Sequence, residues 1–180
     1  MAAQLIPGKE IAEKVKAAAR EGVRGLSEKG VAPKLAAVQV GENAASAVYV
    51  KAQQKNCAAM GIGYELKSLP AATGQADLAA FIESLNNDAS VTGIILQMPL
   101  PPGVDVRAMQ ALIRPEKDVE GVNPANMGWI VYGRPALAPC TALAVLECFN
   151  HTGVDPRGKE TVMVGHSDIV GKPAALLLLD

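Results

Sequence analysis

The chain has 180 residues and a net charge of −1, with 49% hydrophobic, 19% charged and 3% aromatic residues. That is enough apolar material for one large or two small cores, while the neutral balance and scarce aromatics argue against nucleic-acid binding and against a membrane surface. Cys57, Cys140 and Cys148 are odd in number and lack C-x-x-C spacing, and only His151 and His166 accompany them, so neither a disulfide framework nor a metal site is expected. With no charged-then-apolar leader and no apolar run of membrane length, a reducing cytoplasm is the expected setting.

Along the chain the hydrophobic period switches between helix and strand. Ile11, Val15, Ala18, Val23 and Leu26 predict a helix over 9–28, stopped by Gly30. Residues 34–40 (Lys-Leu-Ala-Ala-Val-Gln-Val) read as a strand, 44–60 as a helix ended by Gly61, 64–69 as a second strand, and 76–86 as a helix with Leu78, Phe81, Ile82 and Leu85 on one face. A buried strand at 93–96 follows, Gly-Ile-Ile-Leu, with no polar face. This β-α-β-α-β alternation predicts a parallel sheet with right-handed crossovers. Residues 114–126 are polar and rich in Pro, Gly and Asp, as a domain junction would be. Beyond them, 141–150 reads as a helix, 161–165 (Thr-Val-Met-Val-Gly) as a strand, and 172–179 as the start of another helix. The expected architecture is α/β: a parallel-sheet domain over 1–120, then a linker and the first part of a Rossmann-type dinucleotide-binding domain over 121–180. One strand and one helix start do not complete a doubly wound domain, so the chain reads as the front of a longer protein.

Four segments carry candidate chemistry. Gln97 stands where the third strand ends, against Pro99, Pro101 and Pro102, which fix the backbone. Its amide offers a donor and an acceptor at the carboxyl end of a strand, where open α/β sheets bind ligands; as a plain edge cap it would do neither. Tyr49 and Gln53 are four apart on a helix and share a face, with Ser46 a turn earlier; a half-exposed surface is the alternative. Asp118 and Glu120 place two carboxylates in an extended or turn segment, as a solvated loop, as a cap on a neighbouring helix, or as acceptors for an amino-substituted heterocycle. Gly165 and Gly171 flank a strand-to-helix turn, spaced Gly-x5-Gly rather than G-x-G-x-x-G.

In order and spacing, Gly41-Glu42-Asn43-x-x-Ser46 before Tyr49-Val50, then Gln97-x-Pro99-Leu100-Pro101, Lys117-Asp118-Val119-x-Gly121, Pro139-Cys140-Thr141 and Gly165-x-Ser167-x-Ile169-Val170-Gly171-x-Pro173 closely resemble the methylenetetrahydrofolate dehydrogenase/methenyltetrahydrofolate cyclohydrolase family over essentially the whole chain. The resemblance implies a folate-binding domain and a Rossmann NADP domain facing each other across a cleft, and a homodimer at full length. It implies oxidation of 5,10-methylene-tetrahydrofolate by hydride transfer to NADP, then hydrolysis of the methenyl product to 10-formyl-tetrahydrofolate. By it Tyr49 stacks on the aminobenzoyl group, Gln97 sits beside the one-carbon centre, and position 120 holds the pterin. Val50, Leu96 and Met98 adjoin the folate, while Thr141, Gly165, His166, Ser167 and Ile169 approach the dinucleotide; no metal is implied.

Departures from the family pattern accompany the matches. The lysine expected four after the tyrosine, the main catalytic group, is Gln53, and no gap lets Lys51 or Lys55 take its place. Glu120 replaces an aspartate, His166 stands where arginine is common, so NAD competes with NADP as the expected cofactor, and Ala142 replaces a proline. Two further readings remain open: a non-catalytic folate-binding paralogue, and another two-domain Rossmann dehydrogenase.

Overall fold

The structure, a computed structural model, describes residues 3–179, without the side chains of Ala44 and Ala45. It comprises α1 (Gly8–Ser27), β1 (Lys34–Val40), α2 (Ala44–Met60), β2 (Gly63–Leu69), α3 (Gln75–Asn87), β3 (Gly93–Leu96), α4 (Val106–Leu112), α5 (Pro124–Val131), α6 (Cys140–His151) and α7 (Gly171–Leu177). Two compact units divide the chain, Ala18–Val119 in one and Met1–Ala17 with Glu120–Asp180 in the other. The division falls after Ala17, within α1, and again after Val119.

In the first unit the α/β expectation holds. Both pairings are parallel and the strand order is β2-β1-β3. The chain steps from β1 to β2 on one side and then crosses back to β3 on the other, so the connections reverse direction between β1 and β3. Alternation along the strands separates the two faces of the sheet. Ala36, Val38 and Val40 of β1 and Ile94 and Leu96 of β3 join Leu78, Ile82 and Leu85 of α3 and Met109 of α4 in one apolar core. Leu35, Ala37, Gln39, Ile95 and Gln97 therefore point to the opposite face, where α2 lies.

Polar side chains tie the core's exits. Asn86, 2% exposed, donates to Leu112 O at 2.8 Å and accepts from Arg114 N at 3.0 Å, joining α3 to the end of α4. Lys117 Nζ donates to Leu85 O and Asp88 O at 3.0 and 2.8 Å, satisfying carbonyls at the C-terminus of α3 where a cation is favoured. The sequence pattern predicts no element over 106–112, yet Asp105 caps α4 there by accepting from Arg107 N and Ala108 N.

In the second unit α7 packs against α5 and α6. Asn123 accepts from Ala125 N at 2.8 Å and Pro124 opens α5, a helix start inside the predicted junction. Gly121 has φ +66°, and a Cβ there would sit 2.3 Å from the carbonyl carbon of Ala138. The strand expected at 161–165 is not formed: Val162 and Val164 are 87% and 95% exposed. A strand exists only through its ladder, and no described strand pairs with these residues. Among the described residues no helix is long and apolar enough to cross a membrane.

Candidate functional site

Gln97 leaves the sheet anchored by its own backbone, its N–H donating to Val38 O at 2.8 Å. Being two residues beyond Ile95, it turns its side chain toward α2, whereas Leu96 turns into the α3 core and is 1% exposed. The Met98–Pro99 peptide that follows is cis.

α2 meets the sheet through a stripe of Ser46, Val50, Gln53 and Cys57, spaced four, three and four apart. Ser46, Val50 and Cys57 are each 7% exposed, so a glutamine in their row must find polar partners. It does. Gln53 Oε1 accepts from Gln97 Nε2 at 2.7 Å and from the Tyr64 hydroxyl at 3.2 Å. The three side chains come from α2, the start of β2 and the end of β3: Gln97 stands at the carboxyl end of β3, beside the reversal of connection direction where open α/β sheets place ligands, and Tyr64 reaches Gln53 from the level of Gly93.

The structure thus brings Gln53 and Gln97 together. Tyr49 stands one turn from Gln53 but at the rim, 69% exposed, with a free ring face. Val50 is buried, Met98 is 39% exposed, and Leu96 faces the other side of the sheet, so only its backbone is open to this site. Lys51 lines, with Glu42, Val50, Gln54 and Ser68, a groove of about 1070 Å³ over β1 and β2 whose lining does not include Gln53. Lys55 is exposed. Burial, and then the neighbouring Cys57 thiol, push the Tyr64 hydroxyl above its ordinary value, and burial likewise raises Cys57. Both stay protonated at neutral pH, so Tyr64 is a donor here.

Sequence reasoning passes over Tyr64. The available signal is strand alternation: Tyr64, Leu66 and Ser68 share the α2 face of β2, and an inward tyrosine carries an O–H that needs a partner. Of the alternatives for Asp118, the solvated loop does not hold. The residue is 1% exposed and bridges in register with Ile94, so it belongs to the sheet's margin. Glu120, in the second unit, is half-buried.

The other candidate segment is the turn before α7. Gly165 has φ +129° and open space where a Cβ would lie, and His166, Ser167 and Ile169 are exposed. Gly171 closes the turn so tightly that a Cβ would stand 2.2 Å from Gly165 O. Ser167 holds it further: its carbonyl accepts from Lys172 N at 3.1 Å and its Oγ from Gly171 N at 3.4 Å. Thr141 is exposed in the first turn of α6.

A parallel sheet whose connections reverse direction, followed by a glycine-closed turn into a helix, defines an α/β protein of the doubly wound kind. Residues 6–120 match the family model for the tetrahydrofolate dehydrogenase/cyclohydrolase catalytic domain, and residues 139–180 match its NAD(P)-binding domain. The chain belongs to the tetrahydrofolate dehydrogenase/cyclohydrolase family. It is 45% identical over 179 residues to the bifunctional protein FolD of Moorella thermoacetica, covering 99% of this chain and 64% of the relative. Among solved structures, bifunctional FolD from Campylobacter jejuni superposes with a TM-score of 0.94 at 37% identity, over 99% of this chain and 64% of that one. The Trypanosoma brucei enzyme, complexed with NADP and an inhibitor, superposes with a TM-score of 0.90 at 35% identity, over 98% and 61%. The chain therefore spans under two thirds of the length of these relatives.

Proposed function

We propose that the protein, at the length of its relatives, binds a tetrahydrofolate derivative and oxidises 5,10-methylene-tetrahydrofolate to the 5,10-methenyl form, and that its hydrolysis of the methenyl form to 10-formyl-tetrahydrofolate is strongly impaired. One observation carries the second half: the position of the family's lysine holds an amide, Gln53, whose oxygen already accepts from Gln97 and Tyr64.

Hydride transfer demands chiefly alignment of donor and acceptor carbons. NADP supplies the hydride acceptor, with NAD as the alternative given His166. The open side of Gly165 and the exposed backbone of the turn suit close approach of a dinucleotide, and Thr141, His166, Ser167 and Ile169 are its other contacts in this reading. Tyr49 stacks on the aminobenzoyl group, Gln97 and Gln53 position the one-carbon bridge, and Glu120 accepts from the pterin. Hydrolysis differs, because water adds to the bridge carbon and protons must pass between oxygen and nitrogen as the C–N bond opens. A lysine of depressed pKa does that work; a glutamine does not titrate. The homodimer belongs to the same proposal.

The test extends the protein to the length of its relatives and assays both steps with and without Gln53→Lys. The expected outcome is NADP reduction by both proteins, with hydrolysis of methenyl-tetrahydrofolate at least tenfold faster in the lysine variant. Equal hydrolysis rates would overturn the impaired-hydrolase reading. Absence of NADP and NAD reduction in both, with folate still bound, would favour the non-catalytic binding reading.

A further inference from the structure

We propose that Tyr64 is a positioning residue of the folate site, fixing the Gln53 amide so that this position offers a ligand hydrogen-bond donors only. The proposal rests on the folate reading above and adds a residue and a selectivity to it.

The argument begins with lone pairs. An amide oxygen has two, and at Gln53 both are engaged, one by Gln97 Nε2 and one by the Tyr64 hydroxyl. With Gln97 presenting Nε2, a half-turn of the Gln53 amide would set donor against donor, so the two amides hold their orientations as a pair. A single bond would still let the amide plane swing. The second bond, from a strand across the α2 face, removes that freedom. Gln97 is 6% exposed and held by its own backbone bond to Val38, so the frame is rigid on that side too. Gln53 Nε2 makes no hydrogen bond among the described residues, which leaves its two N–H groups for a ligand. They favour a carbonyl oxygen or an unprotonated ring nitrogen, and the saturated oxygen rejects a ligand N–H. Without Tyr64, one lone pair of Oε1 is released and the position becomes ambivalent.

The experiment uses the 180-residue chain and 5-formyl-tetrahydrofolate, a stable acceptor-bearing probe. Tyr64→Phe keeps the ring and removes the donor. We expect it to weaken binding three- to tenfold, the range of one ordinary hydrogen bond. In a Gln53→Ala background the same change should leave affinity within twofold, because Tyr64 then has nothing to position. Equal losses in both backgrounds would overturn the proposal and make Tyr64 merely structural. NMR gives an arm independent of folate: the side-chain NH₂ pair of Gln53 should move and broaden in Tyr64→Phe while those of Gln39 and Gln54 stay. An unmoved Gln53 pair would also overturn it. If the probe binds none of the 180-residue proteins, the amide signals alone decide the role of Tyr64, and the same titration at the length of the relatives decides the folate reading.

Discussion

Gly121→Ala tests the backbone geometry beside Glu120. Gly121 sits at φ +66°, a region that costs an L-residue about 1–2 kcal/mol. The added Cβ would also lie 2.3, 2.6 and 2.7 Å from the C, O and Cα of Ala138, all main chain. Nothing there can rotate away, so overpacking adds about 1–3 kcal/mol and the sum is about 2–5 kcal/mol. Gly93→Ala is the contrast. Its Cβ would stand 2.4 Å from Val119 Cγ1, a side-chain methyl, and its φ is not positive. A second change, Val119→Ala, should therefore recover at least about 1 kcal/mol of the Gly93→Ala loss, whereas Gly121→Ala has no side chain to truncate. Urea unfolding provides the assay, with fluorescence of the single tryptophan, Trp129, reporting on the second unit and far-ultraviolet circular dichroism on both. A Gly121→Ala protein within 0.5 kcal/mol of the parent, roughly the scatter of a neutral surface change, would refute the close approach to Ala138.

Asp105→Ala removes the oxygen that accepts from Arg107 N and Ala108 N and should cost about 1 kcal/mol in the same assay, with Asp105→Asn recovering most of it. Lys117→Met keeps the stem but leaves Leu85 O and Asp88 O without their cation; a loss of about 1–2 kcal/mol is expected, and none would mean that water replaces the ammonium freely. Stability should fall at both ends of the pH range. Glu83 is held low by hydrogen bonds from Asn86 and Asn87, Asp88 by those from Ser90, and Glu65 by Lys67 and Lys34, so their contribution is present above the ordinary carboxylate range and lost as pH falls through the depressed values. Tyr64 and Cys57 are raised, so theirs is present below the ordinary phenol and thiol values and lost as pH rises through the raised ones. Unfolding midpoints across pH should show both limbs, and the alkaline limb should shrink in Cys57→Ala with Tyr64→Phe.

The sequence carried the three strands and the long helices of the first unit because period and length agree there. Ala44–Met60 and Gly93–Leu96 match the expected bounds, helped by Gly61 and by the proline run after Gln97. The short helices α4 and α5 were illegible, since they follow proline- and glycine-rich stretches and their caps, Asp105 and Asn123, look like ordinary loop residues, whereas the equally short α7 carries an uninterrupted apolar run. At the site, helix spacing set Tyr49 and Gln53 on one face and the proline run marked Gln97, while the meeting of Gln53 with Gln97 followed only from the family resemblance. What spacing could not supply was Tyr64, whose role depends on the register that sets β2 beside β1 and on which face α2 covers.

The exposed segment before α7 has a practical consequence for handling the protein. Val162 and Val164 flank Met163, a short β-prone run whose main chain is available to any neighbouring molecule. Lys159, Glu160, His166 and Asp168 stand on either side of it and act as gatekeepers, yet none interrupts the run itself. At the concentrations that crystals or spectra require, this stretch offers its main chain for strand pairing between molecules. Val162→Lys, which touches neither candidate site, is the change that should keep the chain in solution.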